Sequence, residues 1–229
     1  FFWLAMQYGM SMLFVGGTAS GKTTSLNACS LFLPWQHKIV SIEETRELNL
    51  PHPNWIPGCT RQGFGGESGG TGVKAAGEVD MYDLLRAALR ERPEYIIVGE
   101  IRGAEAYVLF QAMATGHTTY STFHADSIQS LVHRLENKPI EIPRVLIPAL
   151  DGISIQIQTR VGGKRVRRNK AIVEIIGIDP HSHELLTNEA FRWDNTVDEY
   201  VFTGKSYIFE KIMMKANLNR VEIMDETKR

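Results

Sequence analysis

Several features that would narrow the class of this chain are scarce or missing. Of its 229 residues only two are cysteine, Cys29 and Cys59. Two such thiols build neither a metal framework nor a disulfide scaffold, and they fit a reducing compartment. The formal net charge is −1, so no global field draws the chain to nucleic acid or to an anionic membrane. The apolar stretch from Phe1 to Val15 is shorter than the ~20 residues a helix needs to cross a bilayer. It also lacks the basic flank of a signal peptide. There is no internal repeat. Hydrophobic residues still make up 43% of the chain, which suits one α/β domain with a full core.

What is present is concentrated near the start. Gly16, Gly17, Thr18, Ala19, Ser20, Gly21, Lys22 and Thr23 fill every fixed position of the phosphate-binding P-loop, G-x-x-x-x-G-K-[ST]. Glycines let backbone N–H groups turn inward around phosphate oxygens. Lys22 supplies a point charge for the β- and γ-phosphates, and the Thr23 hydroxyl is placed to ligate Mg²⁺. The apolar run Ser11 to Val15 predicts a buried parallel strand before the loop. Thr24 to Leu33 predicts a helix after it, whose N-terminal dipole faces the phosphates.

Further along, strand and helix signals alternate, which implies a mostly parallel sheet. Strands are predicted at Lys38 to Glu43, Tyr95 to Gly99 and Thr118 to Phe123. Helices are predicted from an Asp80 cap to about Arg92, over Ala104 to Ala114, and from an Asp126 cap to about Asn137. Residues 49 to 62, with Pro51, Pro53 and Pro57, read as irregular extended chain. Gly63 to Gly72 reads as a mobile glycine-rich loop. After Leu150 the pattern changes. Ile153 to Gln158 alternates like a half-exposed strand, Gly162-Gly163 signals a hairpin, and Lys170 to Ile178 continues in β. Ser206 to Asn217 reads as a helix. The division is a core over 1–150, an antiparallel β extension over 151–204 and an incomplete helical tail over 205–229. The chain begins without Met inside a helical pattern, so a segment is expected upstream.

The chemistry around a P-loop needs acids. Usually an Asp ends an apolar strand and holds the metal through water. Here Gly99 stands in that place and Glu100 follows it. Glu100 is thus the candidate for orienting metal-bound water, activating the nucleophile, or both. Glu43 and Glu44 end a strand expected to flank the P-loop strand, at the carboxyl edge where open α/β sheets bind ligands. Adjacent acids point to different sides, so one of the pair is expected to face the nucleotide. His124 ends a strand and is placed to touch a γ-phosphate, His117 less so. Arg102 and Arg61 are candidates for an arginine acting on a neighbouring subunit's phosphate. The basic run Lys164 to Arg168 reads as a solvated face or subunit contact before a nucleic-acid surface.

Four segments together resemble the secretion ATPase superfamily of type II and type IV secretion, pilus assembly and the archaeal flagellum. They are the P-loop; Ser41 to Glu47, resembling the acidic "Asp box"; Leu89 to Arg102, resembling its Gly-Glu Walker B; and Thr115 to Asp126, resembling its "His box". The match covers about residues 1 to 180. Glu43-Glu44-Thr45-Arg46-Glu47-Leu48, with Asn49 to Trp55 and Met113 to Thr118, is most similar to the VirB11-like and archaeal branch, as in archaellum and archaeal pilus ATPases. The resemblance implies a RecA-like core, ATP and Mg²⁺ as ligands, and a hexameric ring. It also implies an own N-terminal domain sharing the site and a polytopic membrane platform protein as partner. The expected place is the cytoplasmic face of the membrane, with no nucleic acid bound. Glu44 stands where the family has Asp. Two other classes compete: a RecA-like hexameric ATPase that translocates nucleic acid, and a non-catalytic nucleotide-binding regulator.

Overall fold

The computed structural model describes residues 1–63 and 75–226. The chain opens with α1 (Phe2–Gln7), β1 (Met12–Gly16), α2 (Lys22–Ser30), β2 (Ile39–Glu43) and β3 (Trp55–Cys59). Then come α3 (Met81–Arg90), β4 (Tyr95–Glu100), α4 (Glu105–Ala114), β5 (Thr118–Phe123) and α5 (Ile128–Glu136). After a 3₁₀ turn at Arg144–Ala149, β6 (Gly152–Val161), β7 (Lys164–Ile178), β8 (Leu185–Asp194) and β9 (Glu199–Phe202) lead to α6 (Tyr207–Ala216) and α7 (Arg220–Glu226).

Among the described residues the strands form one sheet in the order β3-β2-β4-β5-β1-β6-β7-β8-β9. Pairings from β3 to β6 are parallel, and those from β6 to β9 antiparallel. This is the mixed α/β architecture expected from the alternating pattern. Side chains alternate across β1 in the way a strand covered on both faces requires. Leu13 and Val15 join α3, α4 and α5 in one cluster, while Met12 and Phe14 join α1, α2, α6 and Ile223 of α7 in another. Each fully buried Leu or Phe in these layers stabilises the fold by about 1.5–3 kcal/mol.

The structure departs from four local expectations. β2 does not flank the P-loop strand, because β4 and β5 lie between them. Consecutive strands are neighbours only about two-thirds of the time, and here the β1–α2–β2 crossover skips two positions. The proline-rich stretch is not wholly irregular, since Trp55–Cys59 pairs with β2 as an edge strand. An edge tolerates Pro57 because one side of its backbone is unpaired. Helix α5 is capped by Ser127, whose hydroxyl accepts from Ser130 N, and not by Asp126. The first half of β6 is buried on both faces, lying between β1 and β7, and alternates only beyond Ile157. The hairpin at Gly162-Gly163 is present, with φ of 53° and 78°, values glycine adopts at no steric cost. The glycine-rich stretch beyond Gly63 lies outside the described residues.

The C-terminal helix is held by an acid inside the sheet. Glu174 of β7 is fully buried. Its carboxylate accepts from the Ser206 hydroxyl, from Tyr207 N at 2.7 Å and Ile208 N at 3.3 Å, and from Asn188 Nδ2 at 2.9 Å. Tyr207 N and Ile208 N are orphan donors of the first turn of α6, which the Ser206 cap to Phe209 N leaves unmet.

Two predictions follow from this packing. Glu174→Ala should strip these buried donors of their acceptor and cost about 2–4 kcal/mol. A thermal melt should then fall by roughly 5–15 °C; an unchanged midpoint would show that water replaces the carboxylate. The two thiols should also separate in reactivity. Cys59 is exposed, whereas Cys29 is buried in α2, and desolvation pushes its thiol up to about 12. A thiol reagent at mildly alkaline pH should label one site on the native protein and the second only after denaturation.

Candidate active site

The phosphate loop is built by close approach. Gly16 pairs with Gln156 of β6, and a Cβ placed on Gly16 would collide with the Gln156 carbonyl and the Ser20 hydroxyl. Gly21 sits at the N-cap of α2 with φ +99°, and Ala19 also lies in the left-handed region at +59°. These turns aim the first N–H groups of α2 outward. No side chain caps them and no acid stands in the first turn. An uncapped helix start with a full dipole is a ready anion site.

Lys22 crosses the mouth of the loop and donates to the Gly17 carbonyl at 2.9 Å. The Ser20 hydroxyl donates to the same carbonyl at 2.8 Å. Burial lowers the Lys22 ammonium from its ordinary value; Glu100 opposes that shift and Arg102 adds to it. Thr18 and Ala19 are exposed at the loop tip.

A cavity of about 190 Å³ opens on the Thr23 side of the loop, lined also by Glu43, Glu44, Gly99, Glu100 and Arg102. The strand order explains how β2 contributes although it is not next to β1. Glu43 ends β2 beside β4, and helix α2 packs across β1 and β5 to bring Thr23 over. Gly99 has a steric reason, because a Cβ there would lie 3.1 Å from Glu43 Cγ. The space an Asp would need is filled by the Glu43 side chain. The ladder between β4 and β5 shifts register at Gly99, whose carbonyl accepts from the Thr122 hydroxyl at 2.7 Å. The shift re-aims Glu100, which pairs with Thr122.

The two acidic-box glutamates differ. Glu43 is 2% exposed. Its Oε1 accepts from Glu47 N at 2.9 Å and Leu48 N at 3.0 Å, while its Oε2 is buried with no partner among the described residues. Glu44 is exposed and reaches Arg102 at 3.4 Å. Arg102 also pairs with Glu100 at 2.7 Å. That hydrogen bond holds the guanidinium firmly charged, with the Coulomb attraction of Glu100, Glu44 and Glu105 added.

A buried carboxylate oxygen with no donor is costly unless something arrives to use it. Thr23, Glu43 and Glu100 around one small cavity fit Mg²⁺, which takes one or two protein oxygens and completes its shell with phosphate and water.

His124 stands one residue past β5, where Phe123 pairs with Val15 of β1. It is therefore level with Gly16, with its side chain exposed. Arg134 donates to its carbonyl and lies over the Phe123 ring at 5.1 Å. His117 precedes β5 at the opposite edge of the sheet, away from the loop. Arg61 lines a wider cleft of about 760 Å³ beyond Arg102, with its Nε donating to Gly77 O at 2.8 Å.

The other side of the P-loop carries features that no local motif signals. Ser20, Gly21, Thr24 and Ser25 line a second cavity of about 430 Å³ with Gln156, Arg167, Arg168, Asn169 and Tyr200. The basic run is thus divided. Arg168 pairs with Asp198 at 2.7 Å, while Arg167 leans over Gly21. Period-two spacing places Arg167 and Asn169 on one face of β7. Which face that was needed the pairing with β6.

A family model described as "Type II/IV secretion system protein" matches residues 3–228. The chain belongs to this family. An uncharacterised protein of Methanocaldococcus jannaschii is 45% identical over 226 residues, covering 99% of this chain and 81% of that one. The type IV secretion system protein PtlH of Bordetella pertussis is 34% identical over 180 residues, covering 72% of this chain and 50% of PtlH. Among solved structures, the VirB11 ATPase of the Brucella suis type IV secretion system, in complex with sulphate, is 27% identical with a TM-score of 0.60. That match covers 75% of this chain and 50% of the VirB11 chain. The pilus retraction motor PilT with bound ADP shares the fold, at 24% identity and a TM-score of 0.52. The chain thus spans about half the length of PtlH and of the VirB11 chain.

In this secretion-family chain the contact at Gly16 gives a direct test. Gly16→Ala should displace the loop from Gln156 and weaken tripolyphosphate binding by about tenfold or more. Calorimetric titration reads this, and unchanged affinity would mean the loop has slack at Gly16.

Proposed function

We propose that the chain is an ATP-hydrolysing motor domain, Mg²⁺-dependent, that powers secretion or pilus- or archaellum-type filament assembly. The observation carrying this reading is the pairing of an uncapped P-loop helix with the buried Glu43 Oε2, which has no partner among the described residues, and with Glu100 across one small cavity. Membership of the type II/IV secretion family supplies the physiological class. The Methanocaldococcus jannaschii relative favours the archaeal branch.

In this reading Lys22 and the amides of Gly17 to Thr24 hold the phosphates, and Lys22 exchanges the Gly17 carbonyl for a phosphate oxygen. Thr23 and Glu43 would hold Mg²⁺, which neutralises developing charge on the phosphates when bound. Glu100 accepts a proton from the attacking water, giving ADP and phosphate. Arg102 steers Glu100 and leaves it as the negative γ-phosphate competes for the guanidinium. His124, level with Gly16, reports the γ-phosphate.

The site is open on the side of Arg61 and Arg102. This suits completion by an N-terminal domain of the same protein and by a neighbouring subunit in a hexameric ring. The motor then works at the cytoplasmic face of a membrane on a polytopic platform protein. Among the described residues no helix is long and apolar enough to cross a membrane. Nucleic acid is not part of the reading, since the basic run meets Asp198 and the P-loop.

The test is Glu100→Gln in the full-length protein. ATP binding should stay within about twofold while turnover falls by about 10²–10⁴. Near-normal phosphate release would remove Glu100 from its role.

A further inference from the structure

The P-loop lies between two cavities, and their contents give the bound nucleotide a direction. Thr23 faces the cavity holding Glu43 and Glu100, which marks the γ-phosphate end. Thr24 and Ser25 face the other cavity, so the nucleoside end of the same ligand points there. About 430 Å³ is within the range that buries a nucleoside-sized group. The sheet register sets its far wall. Gly16 pairs with Gln156, and Gln156 pairs with Asn169, so Asn169 stands level with the first P-loop residue two strands away.

Asn169 is oriented before any ligand arrives. The ladder between β6 and β7 shifts register just beyond it, so its face differs from that of the strand that follows. Its Nδ2 donates to Ser154 Oγ at 2.9 Å, and that same oxygen accepts from Gln156 Nε2 at 2.9 Å. Its backbone N–H donates to the Tyr200 hydroxyl at 3.3 Å. The other amide atom, Oδ1, is a buried acceptor with no partner among the described residues. The remaining wall suits a flat ring. Tyr200 offers an aromatic face, and the Arg167 side chain runs past Gly21, its Cδ 3.4 Å from where a Cβ would lie. Arg167 forms no ion pair with the described residues, unlike its neighbour Arg168.

We propose that Asn169 is a specificity-determining residue: its Oδ1 accepts a hydrogen bond from the 6-amino group of an adenine base whose phosphates lie on the P-loop. A 6-oxo purine would set two acceptors against each other and leave both unpaired, which is how a buried polar group discriminates. This inference rests on the nucleotide-binding reading above and adds the choice of base, made by the strand that carries the basic run.

The experiment is calorimetric titration of the full-length protein with ADP, IDP and tripolyphosphate. The native protein should prefer ADP to IDP by about tenfold, the factor one hydrogen bond of this kind supplies. Asn169→Leu should bring ADP down to the level of IDP and leave tripolyphosphate unchanged. Asn169→Asp keeps an acceptor in place and should restore the preference for ADP. Equal affinity for ADP and IDP in the native protein, beside normal tripolyphosphate binding, would overturn this inference and leave the phosphate site standing. A preference for IDP would overturn it by showing the amide turned over, and an undiminished ADP preference in Asn169→Leu would move recognition elsewhere. No binding of any of the three would defeat the nucleotide reading and this inference with it.

Discussion

The site depends on one backbone contact. Gly16 lies against the Gln156 carbonyl with no room for a side chain. The contact ties the end of β1 to β6, and β6 carries β7 with it. The loop that turns away from Gly16 therefore starts from a fixed floor, and its amides converge at the start of α2. Parallel pairing with β5 on the other side sets Thr122 beside Phe14 and brings His124 level with Gly16. Thr122 in turn holds the Gly99 carbonyl, beside which Glu100 emerges. Asn169, Gln156 and Gly16 are thus a row of strand ends locked by register, and on the other side Thr122 of β5 is the register partner of Glu100.

Charge is distributed along that row with little slack. Glu43, Glu44 and Glu100 meet Arg102 around one small cavity, and Lys22 lies near enough to feel the charge of Glu100. Arg102 pairs with two of the acids, and Lys22 donates to the Gly17 carbonyl. Glu43 completes only half of its bonding.

The sequence made some of this legible and hid the rest for identifiable reasons. The P-loop is local: eight adjacent residues define it, and the strand and helix around it follow from hydrophobic runs. Glu100 was found because a buried strand led straight to it. Helix α3 was legible through Asp80, whose carboxylate accepts from Asp83 N. Non-local facts were not available. Strand order depends on which crossover wins, so β2 was set beside β1. An edge strand needs no propensity beyond a neighbour to pair with, so Pro57 concealed β3. The steric reason for Gly99 lies in Glu43, 56 residues earlier by numbering. The value of Asn169 lies in a single atom's missing partner, which no pattern of letters encodes.

The clasp around Glu174 has a mechanical side. The same helix α6 reaches back to the front of the sheet, where Lys211 pairs with Asp151 at 2.7 Å and Asp151 accepts from Ser11 N at 2.8 Å. Lys215 donates to the Tyr8 carbonyl at 2.8 Å. One end of α6 is riveted to β7 and its flank to the residues just before β1. The helix is thus a brace across the sheet, and any load applied to it is delivered within a few bonds to the strand that ends in the phosphate loop.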